Sequence, residues 1–432
     1  MTTTPIRPAS AWASLQTTPT GFKADVSARI ARQLFRAAVR RLPVTVREGS
    51  ASTKTWGTGG PEMRIQRPTE FYARVGRDGL IGFGEAYLNG AWDAEDLGGF
   101  LTVLAAELPN LIPAPLQRLR ATYVRRPPRA HKNTQDNTQD NISHHYDLSN
   151  DLFRQFLDPT LSYSSALYDT SFVDRGDHLE AAPPEGHDSE SLETAQIRKI
   201  ERLLDQTQVG EGSRVLEIGT GWGELAIRAA RRGATVHSVT LSKEQLDLAV
   251  ERIDEAGYAD RVTVELSDYR DVQGSYDAII SVEMIEAVGH EFWSTYFCTI
   301  DRLLAPAGHV GIQAITMPHD RMLATRRTFT WINKYIFPGG FLPSVTAIDE
   351  ITRADTTLRL GTHLGDRLSF GRHYAETLER WDQSFLAAGD HVRELGFDKT
   401  FQRMWHFYLE YSRAGFASGY IDVQQLTFAR EG

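Results

Sequence analysis

One stretch of the chain constrains the fold more than any other, because a strand pattern, a turn and a helix pattern follow one another without a break. It reads 214-RVLEIGTGWGELAIRAARRG-233. The apolar run that ends at Ile218 predicts a buried strand, and Gly219, Gly221 and Gly223 at alternate positions predict a tight turn. The amphipathic pattern that follows predicts a helix. Such a turn brings backbone N–H groups close to a ligand at a helix N-terminus.

The residues around this stretch alternate strand and helix patterns in the same way. Strands are predicted at 213–219, 234–241, 261–267, 276–284 and 308–316, and a helix at 243–257. This alternation predicts an α/β fold with a doubly wound, Rossmann-like parallel sheet. Ligands of such sheets bind at the carboxyl ends of the strands, so the glycine turn marks the expected site.

Composition divides the 432 residues into four parts. Residues 1–20 are rich in Thr, Pro and Ser and are predicted to be disordered. Residues 21–125 mix short helix and strand patterns, which predicts a smaller α+β accessory domain. Residues 126–142 contain the polar repeat NTQDNTQDN and are predicted to be a linker. Residues 143–432 are predicted to form one large domain.

Local composition sets several further expectations. The acidic segment 174-DRGDHLEAAPPEGHDSES-191 predicts a solvated loop, with a mobile lid as the alternative. Cys298 is the single cysteine, so an intramolecular disulfide and a multi-cysteine zinc site are excluded, and no metal site is predicted. The apolar helical pattern around Cys298 predicts a buried packing residue. The net charge of −9 argues against nucleic acid as a partner.

The residues of the turn narrow the choice of ligand. A phosphate-binding loop would need a lysine after Gly223, and a dinucleotide site would need a glycine where Glu224 stands. Glu224 would also repel a pyrophosphate at the helix N-terminus. S-adenosylmethionine carries no phosphate, and its ribose could bond Thr240 and Gln245 at the end of the next strand. An NAD oxidoreductase and a purely structural turn are the alternatives at this point.

Seven motifs, in this order, resemble those of cyclopropane-fatty-acyl-phospholipid synthases and mycolic acid methyltransferases. They are 144-HHYDLSNDLFRQFLDPTLSYSSALYD-169, VLEIGTGWG, 239-VTLSKEQ-245, 268-DYRDV-272, 282-VEMIEAVG-289, 331-WINKYIFPGGFLPS-344 and 371-GRHYAETLERW-381. Two stretches, 282–289 and 312-IQAITMPHDRMLATR-326, most resemble the actinobacterial enzymes that install the methyl branch of tuberculostearic-type lipids. The N-terminal GLIGFGEAYLNGAWD is similar to the extra domain of the synthases.

The resemblance implies a class I methyltransferase that uses S-adenosylmethionine. The cofactor contacts that it implies fall on Tyr163, Ser164, Gly219, Gly221, Gly223, Thr240, Leu241, Gln245, Asp268 and Tyr269. It also implies a bound bicarbonate as the base, and the residues that match its binding groups are Ser165, Glu286, Gln313, Ile315 and Tyr374. Glu286 and Tyr374 keep the family's residue types, whereas Ser165 and Gln313 replace a cysteine and a histidine.

The activity implied by the resemblance is C-methylation of the double bond of unsaturated acyl chains in membrane phospholipids. A carbocation forms and loses a proton, and the subgroup resemblance favours a 10-methylene product, which a separate reductase would convert to a 10-methyl branch. The alternatives are a cyclopropane product and an inactive lipid-binding protein. The expected partners are membrane phospholipids, this reductase and a second copy in a homodimer.

A membrane substrate requires a surface that approaches the bilayer. The segment 26-VSARIARQLFRAAVRRL-42 predicts an amphipathic helix with Val26, Ile30, Leu34 and Ala38 on one face. The arginines that flank this face are Arg29, Arg32, Arg36, Arg40 and Arg41, and a second basic cluster comprises Arg118, Arg120, Arg125, Arg126 and Arg129. The protein is therefore expected in the cytoplasm, attached peripherally to the inner face of the membrane. A helix packed within the small domain is the alternative.

Overall fold

Two units make up the chain in the computed structural model, which describes residues 12–49, 55–111, 148–185 and 190–430. The first unit comprises the described parts of Met1–Arg126 together with Thr328–Ile336 and Trp381–Tyr420. The second comprises the described parts of Pro127–Arg327, with Phe337–Arg380 and Ile421–Gly432. The predicted linker 126–142 and the Arg118–Arg129 cluster lie outside the described residues.

The first unit is an α+β fold built on a small sheet with the strand order β2-β1-β3-β4. The strands are β1 (Thr45–Glu48), β2 (Thr55–Trp56), β3 (Glu62–Ile65) and β4 (Trp92–Ala94). The helices are Ala13–Gln16, Phe22–Val39, Pro68–Asp78, Leu80–Leu88, Leu97–Leu111, Trp331–Tyr335, Gly389–Glu394 and Lys399–Ala417. In β1 and β3 buried and exposed residues alternate, as expected for a sheet with one face in the core.

The N-terminal segment is more ordered than its composition suggests. The prediction of disorder over residues 1–20 is wrong for residues 12–20, where Trp12 and Leu15 are buried. The Arg74 guanidinium donates to the Leu15 carbonyl over 2.6 Å. Two large apolar side chains and a buried arginine hold this segment, although the surrounding Thr and Pro residues are typical of disorder. Residues 1–11 lie outside the described part of the chain.

Two later segments pack with the first unit, whereas the sequence assigned them to the large domain. The ring centroids of Trp331 and Phe407 are 4.8 Å apart, and Phe407 lies 5.2 Å from Tyr87. The Arg403 guanidinium lies 4.0 Å above the Tyr87 ring. These contacts join residues more than 300 positions apart, which is why local patterns do not reveal them.

The second unit contains a ten-stranded sheet, with the order β5-β6-β13-β14-β11-β10-β7-β8-β9 and with β12 paired to β14. Its strands are β5 (Phe172–Asp174), β6 (Leu179–Ala181), β7 (Arg214–Ile218), β8 (Thr235–Thr240), β9 (Val262–Leu266), β10 (Tyr276–Val282), β11 (Leu304–Thr316), β12 (Leu358–Leu360), β13 (Arg367–Ser369) and β14 (Asp422–Arg430). Strands β9, β8, β7, β10 and β11 are parallel, and β14 is antiparallel to β11. All five predicted strands are present, and the predicted fold class is confirmed.

Helices cover both faces of this sheet. They are Asn150–Phe153, Leu192–Gln206, Glu224–Arg231, Lys243–Glu255, Ile285–Val288, Trp293–Leu303, His319–Thr325, Val345–Asp355 and the first part of Gly371–Ala387, with short 3-10 turns at His290–Phe292 and Leu364–Asp366. Leu216 and Ile279 point into one apolar core, whereas Val215 and Ile280 point into the other. The central strands are therefore apolar on both sides, as their continuous apolar runs predict.

Two local expectations are corrected. The acidic segment is not only a loop, because β5 and β6 form a hairpin in which β6 pairs with β13. An ion pair between Arg367 and Asp177 at 2.8 Å supports it, and residues 186–189 lie outside the described part. Cys298 is exposed and not buried. Its neighbours Phe297 and Ile300 occupy the buried face of the helix Trp293–Leu303, which turns Cys298 outward.

Among the described residues, no helix is both long enough and apolar enough to cross a membrane. Within the same residues, no cluster of three or more His, Cys, Asp or Glu side chains has the arrangement of a metal site.

Candidate active site

The glycine turn has a backbone that side chains other than glycine rarely adopt. Gly219, Gly221 and Gly223 have φ values of 97°, 53° and 89°. A Cβ on Gly219 would lie 2.6 Å from Cγ of Met284, so that position is closed by packing. A Cβ on Gly221 would meet no atom within 4 Å, so this residue faces open space. The turn therefore leaves room for the predicted cofactor to approach the backbone.

Glu224 opens the helix Glu224–Arg231, as predicted. Its carboxylate accepts hydrogen bonds from Arg228 at 2.8 Å and from Arg252 at 3.0 Å. These two cations neutralise much of the charge of Glu224. Its repulsion of a pyrophosphate is therefore weaker than the sequence alone suggests, and the relatives described below are the stronger argument for S-adenosylmethionine.

The predicted cofactor residues on the next two strands lie at the same edge of the sheet. The Gly219 N–H donates to the Val239 carbonyl, and the Ser267 N–H donates to the Thr240 carbonyl, each over 3.0 Å. The Thr240 hydroxyl donates to Oε1 of Gln245 at 2.9 Å, which leaves the NH₂ group of Gln245 as its donor toward a ribose. Leu241 is half-buried beside them.

Two predicted adenine contacts are already engaged by protein groups. The Asp268 carboxylate accepts from the Arg270 side chain at 2.8 Å. Tyr269 is only 8% exposed, and its ring lies edge-on to Tyr296 with centroids 5.5 Å apart. Little of the Tyr269 ring is left for an adenine, and its role stays a prediction.

The segment that carries Tyr163 and Ser164 is held by polar side chains of the helix Leu192–Gln206. Gln196 donates to the Ser164 carbonyl at 2.9 Å, and the Lys199 ammonium donates to the Ser164 hydroxyl at 2.5 Å. Burial lowers the pKa of Lys199 to about 8. Sequence analysis missed this lysine. The available signal was its place on the apolar face of its helix, where a lysine is rare.

Four of the five residues predicted to bind bicarbonate converge on two carboxylates. Glu283 accepts hydrogen bonds from the Ser165 N–H at 2.9 Å, the Gln313 side-chain amide at 2.8 Å and the Tyr374 hydroxyl at 2.7 Å. The Ser165 hydroxyl, which was expected to donate into the site, bonds the Ala166 carbonyl instead.

Sequence analysis missed Glu283, although it belongs to the quoted motif VEMIEAVG. It lies three residues before Glu286, immediately after the end of β10. The residue as a whole is half-buried, and both of its carboxylate oxygens accept hydrogen bonds from protein groups. Its neighbour Met284 packs on Gly219, which connects this carboxylate segment to the glycine turn.

Glu286 is the second carboxylate of the site. The Ile315 N–H donates to Oε1 of Glu286, while the buried Oε2 atom has no hydrogen-bond partner among the described residues. Burial, and then the charge of Glu283, raise the pKa of Glu286 to about 8. Glu286 is therefore protonated near neutral pH, and its hydroxyl is available to donate.

A further chain of side chains orients Gln313. Gln425 donates to Oε1 of Gln313 at 3.1 Å, and Arg202 donates to Oε1 of Gln425 at 2.6 Å. Because the carbonyl of Gln313 is engaged from behind, its NH₂ group is directed at Glu283. The site thus directs three hydrogen-bond donors at Glu283, whereas burial keeps Glu286 protonated.

The chain is similar to known proteins over most of its length. The family described as mycolic acid cyclopropane synthetase matches residues 132–426. Tuberculostearic acid methyltransferase UfaA1 of Mycobacterium tuberculosis is 49% identical over 422 residues, which are 98% of this chain and 96% of that protein. The cyclopropane-fatty-acyl-phospholipid synthase of Escherichia coli K12 is 34% identical over 379 residues, 87% of this chain and 89% of that enzyme.

Solved structures of similar sequence share the fold. The cyclopropane synthase MmaA2 from Mycobacterium tuberculosis is 30% identical with a TM-score of 0.58, over 68% of this chain and 98% of that one. Mycolic acid cyclopropane synthase CmaA1, solved with SAH and CTAB, is 30% identical with the same TM-score of 0.58, over 67% of this chain and 97% of that one. The chain belongs to the mycolic acid cyclopropane synthetase family of S-adenosylmethionine-dependent methyltransferases, as its motifs predicted.

Proposed function

We propose that this enzyme methylates the double bond of an unsaturated acyl chain in a membrane phospholipid and releases a 10-methylene product. The observation that carries the proposal is the contact between the two halves of the site. Gly219 of the glycine turn packs against the Met284 side chain. Along the chain, Met284 stands between the two carboxylate residues Glu283 and Glu286. The similarity to a tuberculostearic acid methyltransferase favours the methylene product over the ring.

The reaction makes specific demands on the residues of the site. S-adenosylmethionine, when bound, supplies an electrophilic methyl group that the electron pair of an alkene takes up, which leaves a positive charge on the acyl chain. A site without bulk water can stabilise that charge with one fixed anion and with dipoles that are already oriented. Water would have to reorient around the charge, whereas these groups do not. Ser165 and Gln313 are buried, so bulk water is kept from this side of the pocket.

The reaction also needs a base that accepts the proton lost by the carbocation. Bicarbonate as the base rests on the family resemblance. Of the groups expected to bind it, Ser165, Gln313 and Tyr374 donate to Glu283, and the Ile315 N–H donates to Glu286. A protein carboxylate therefore competes with bicarbonate for the same donors.

The product is tested with purified enzyme, S-adenosylmethionine and vesicles of dioleoyl phosphatidylglycerol. We expect the acyl chains to gain one CH₂ unit by mass spectrometry and to show vinylidene protons by NMR. Cyclopropane protons would replace the methylene assignment with the ring alternative. Binding of cofactor and lipid without any mass gain would contradict catalysis and favour the inactive lipid-binding protein.

Membrane association is proposed for the helix Phe22–Val39. Phe22 is 83% exposed and Ile30 is 53% exposed, and Val26 and Leu34 continue the same apolar stripe. Lys23, Arg29, Arg40 and Arg41 are exposed around it. An apolar stripe bordered by cations matches the surface of an anionic bilayer, where apolar groups enter the interface and cations meet the headgroups.

Not all of the predicted arginines belong to this surface. Arg32 and Arg36 each donate to Glu48 at 2.7 Å, and Arg36 also lies 4.3 Å above the Trp56 ring. These two arginines hold the helix within its unit. We propose attachment to the inner face of the cytoplasmic membrane, while the reductase and the homodimer stay predictions.

A further inference from the structure

Glu283 occupies a backbone conformation that disfavours its side chain. Its φ is 53°, in the left-handed region where residues other than glycine are strained. A glycine would adopt this conformation freely. A residue that keeps a side chain at a strained position beside a ligand site points to a use for that side chain, because strain of this kind persists mainly at functional sites.

The surroundings of Glu283 are those of a bound anion. Its donors come from three separate parts of the unit: the backbone of Ser165, the side chain of Gln313 in β11 and the hydroxyl of Tyr374 in the helix Gly371–Ala387. The ammonium of the buried Lys199 also stabilises the ionised form of Glu283. An ionised carboxylate only accepts hydrogen bonds, so this set of donors holds Glu283 as the anion.

A comparison with the neighbouring Glu286 indicates which of the two carboxyl groups is ionised. Glu286 accepts from the Ile315 N–H, its Oε2 atom has no hydrogen-bond partner among the described residues, and burial raises its pKa to about 8. Two carboxylates this close do not both ionise readily in a buried site, so the one with three donors carries the charge. Desolvation raises the pKa of Glu283 as well, which makes its ionised form a stronger proton acceptor than an exposed carboxylate.

We propose that the Glu283 carboxylate is the base of the reaction, in place of a dissociable bicarbonate. The inference rests on the proposed function. After the new C–C bond has formed and the C–S bond has broken, the hydrogen on the carbon that carries the new methyl group shifts with its electron pair to the neighbouring cationic carbon. The positive charge then lies on the methyl-bearing carbon, and a C–H bond of the new methyl group breaks. Its electron pair forms the exocyclic C=C bond and cancels the positive charge. The proton passes to a carboxylate oxygen of Glu283. Oε2 of Glu283 accepts a hydrogen bond from the Tyr374 hydroxyl, and a carboxylate oxygen has a second lone pair that can take the proton.

The test compares E283Q and E283G in buffer freed of carbon dioxide, with and without added bicarbonate. Wild-type turnover should not change when bicarbonate is added. E283Q, which keeps the shape but not the basicity, should lose at least about 100-fold in turnover, which is a typical contribution of a positioned base. Its affinity for S-adenosylmethionine should be retained. E283G should still fold, because glycine adopts this backbone conformation without strain, and added bicarbonate or formate should restore its turnover about tenfold or more.

Glu251→Gln at an exposed position is the matched control and should match the wild type. A wild-type enzyme that requires bicarbonate, or an E283Q variant with normal turnover, would overturn the role of Glu283 alone. A wild-type enzyme that binds cofactor and lipid but makes no methylated product would overturn the proposed function and this inference with it.

Discussion

Burial raises the pKa of two carboxyl groups in the second unit, Glu217 and Glu286, to about 8. Glu217 lies in β7, directly beneath the glycine turn, and it is 4% exposed. The Ser238 hydroxyl donates to its Oε2 atom at 2.5 Å and lies 2.7 Å from the Thr220 hydroxyl. Burial raises the pKa of Glu217 to about 8. The neutral Glu217 carboxyl thus holds Ser238 of β8, and the Ser238 hydroxyl in turn contacts Thr220 in the glycine turn.

Replacing this carboxyl should change how stability depends on pH. The unfolded chain ionises Glu217 near 4.5, whereas the folded protein keeps its proton until about pH 8. This group therefore favours folding at low pH, and its contribution is lost as pH rises from about 4.5 to 8, at up to about 1.4 kcal/mol per pH unit. E217Q removes the titration, so we expect its stability relative to the wild type to rise between pH 5 and pH 8. Urea unfolding at both pH values measures the effect, and parallel pH profiles would contradict it.

At the scale of elements, the glycine turn and the helix after it form the predicted cofactor-binding unit. Gly212 and Gly221 offer a matched pair for testing it, because both have positive φ and neither would place a Cβ within 4 Å of another atom. Gly221 lies in the turn at the predicted cofactor site, after the end of β7, whereas Gly212 lies two residues before the start of β7.

We expect G221A and G212A to lose similar stability, about 1 kcal/mol each, from the left-handed backbone. Only G221A should weaken S-adenosylmethionine binding, by roughly tenfold or more, because its methyl group enters the space open to the ligand. Calorimetric titration and thermal unfolding separate the two effects. Equal cofactor affinity in both variants would remove Gly221 from the binding site.

The pairing of β10 with β11 positions Glu283 and Gln313 relative to each other. β10 ends just before Glu283, and the Glu283 N–H donates to the Gln313 carbonyl at 2.7 Å. Register between β10 and β11 therefore brings Gln313 opposite the end of β10. A shift of one residue would turn Gln313 to the other face and leave Glu283 without this donor.

At the scale of the whole molecule, the surface of the helix Phe22–Val39 is the proposed membrane contact. The membrane proposal is tested by sedimentation with anionic vesicles. F22S combined with I30S should weaken binding because it removes exposed apolar area, and R29Q, R40Q and R41Q together should weaken it by roughly 100-fold at about 1 kcal/mol per cation. S-adenosylmethionine binding should be unchanged in both variants.

Val250→Ser is the control for the apolar substitution, because Val250 is 47% exposed on a helix of the second unit. It should bind vesicles as the wild type does. Binding should also fall with added salt and with zwitterionic vesicles. If the substituted helix retained full affinity, the surface formed by Phe22, Val26, Ile30 and Leu34 would not be the membrane contact.

The sequence by itself determined the strand–turn–helix unit, the parallel sheet, the family and the cofactor. These depend on local apolar periodicity, on the backbone freedom of glycine and on motifs that keep their order. The same signals wrongly predicted that Cys298 is buried, because a single residue of a helix can face either way. They also wrongly predicted disorder at residues 12–20, where two buried side chains, Trp12 and Leu15, hold the segment.

Only the tertiary structure brings Ser165, Gln313 and Tyr374 together around Glu283, the residue that we propose as the base. Ser165, Glu283, Gln313 and Tyr374 come from four distant segments, and their hydrogen bonds exist only because the sheet and its helices pack in one way. Burial then sets the protonation of Glu286, since desolvation depends on every surrounding element. The packing of residues 381–420 with the first unit has the same origin, because contacts between distant residues leave no local pattern in the chain.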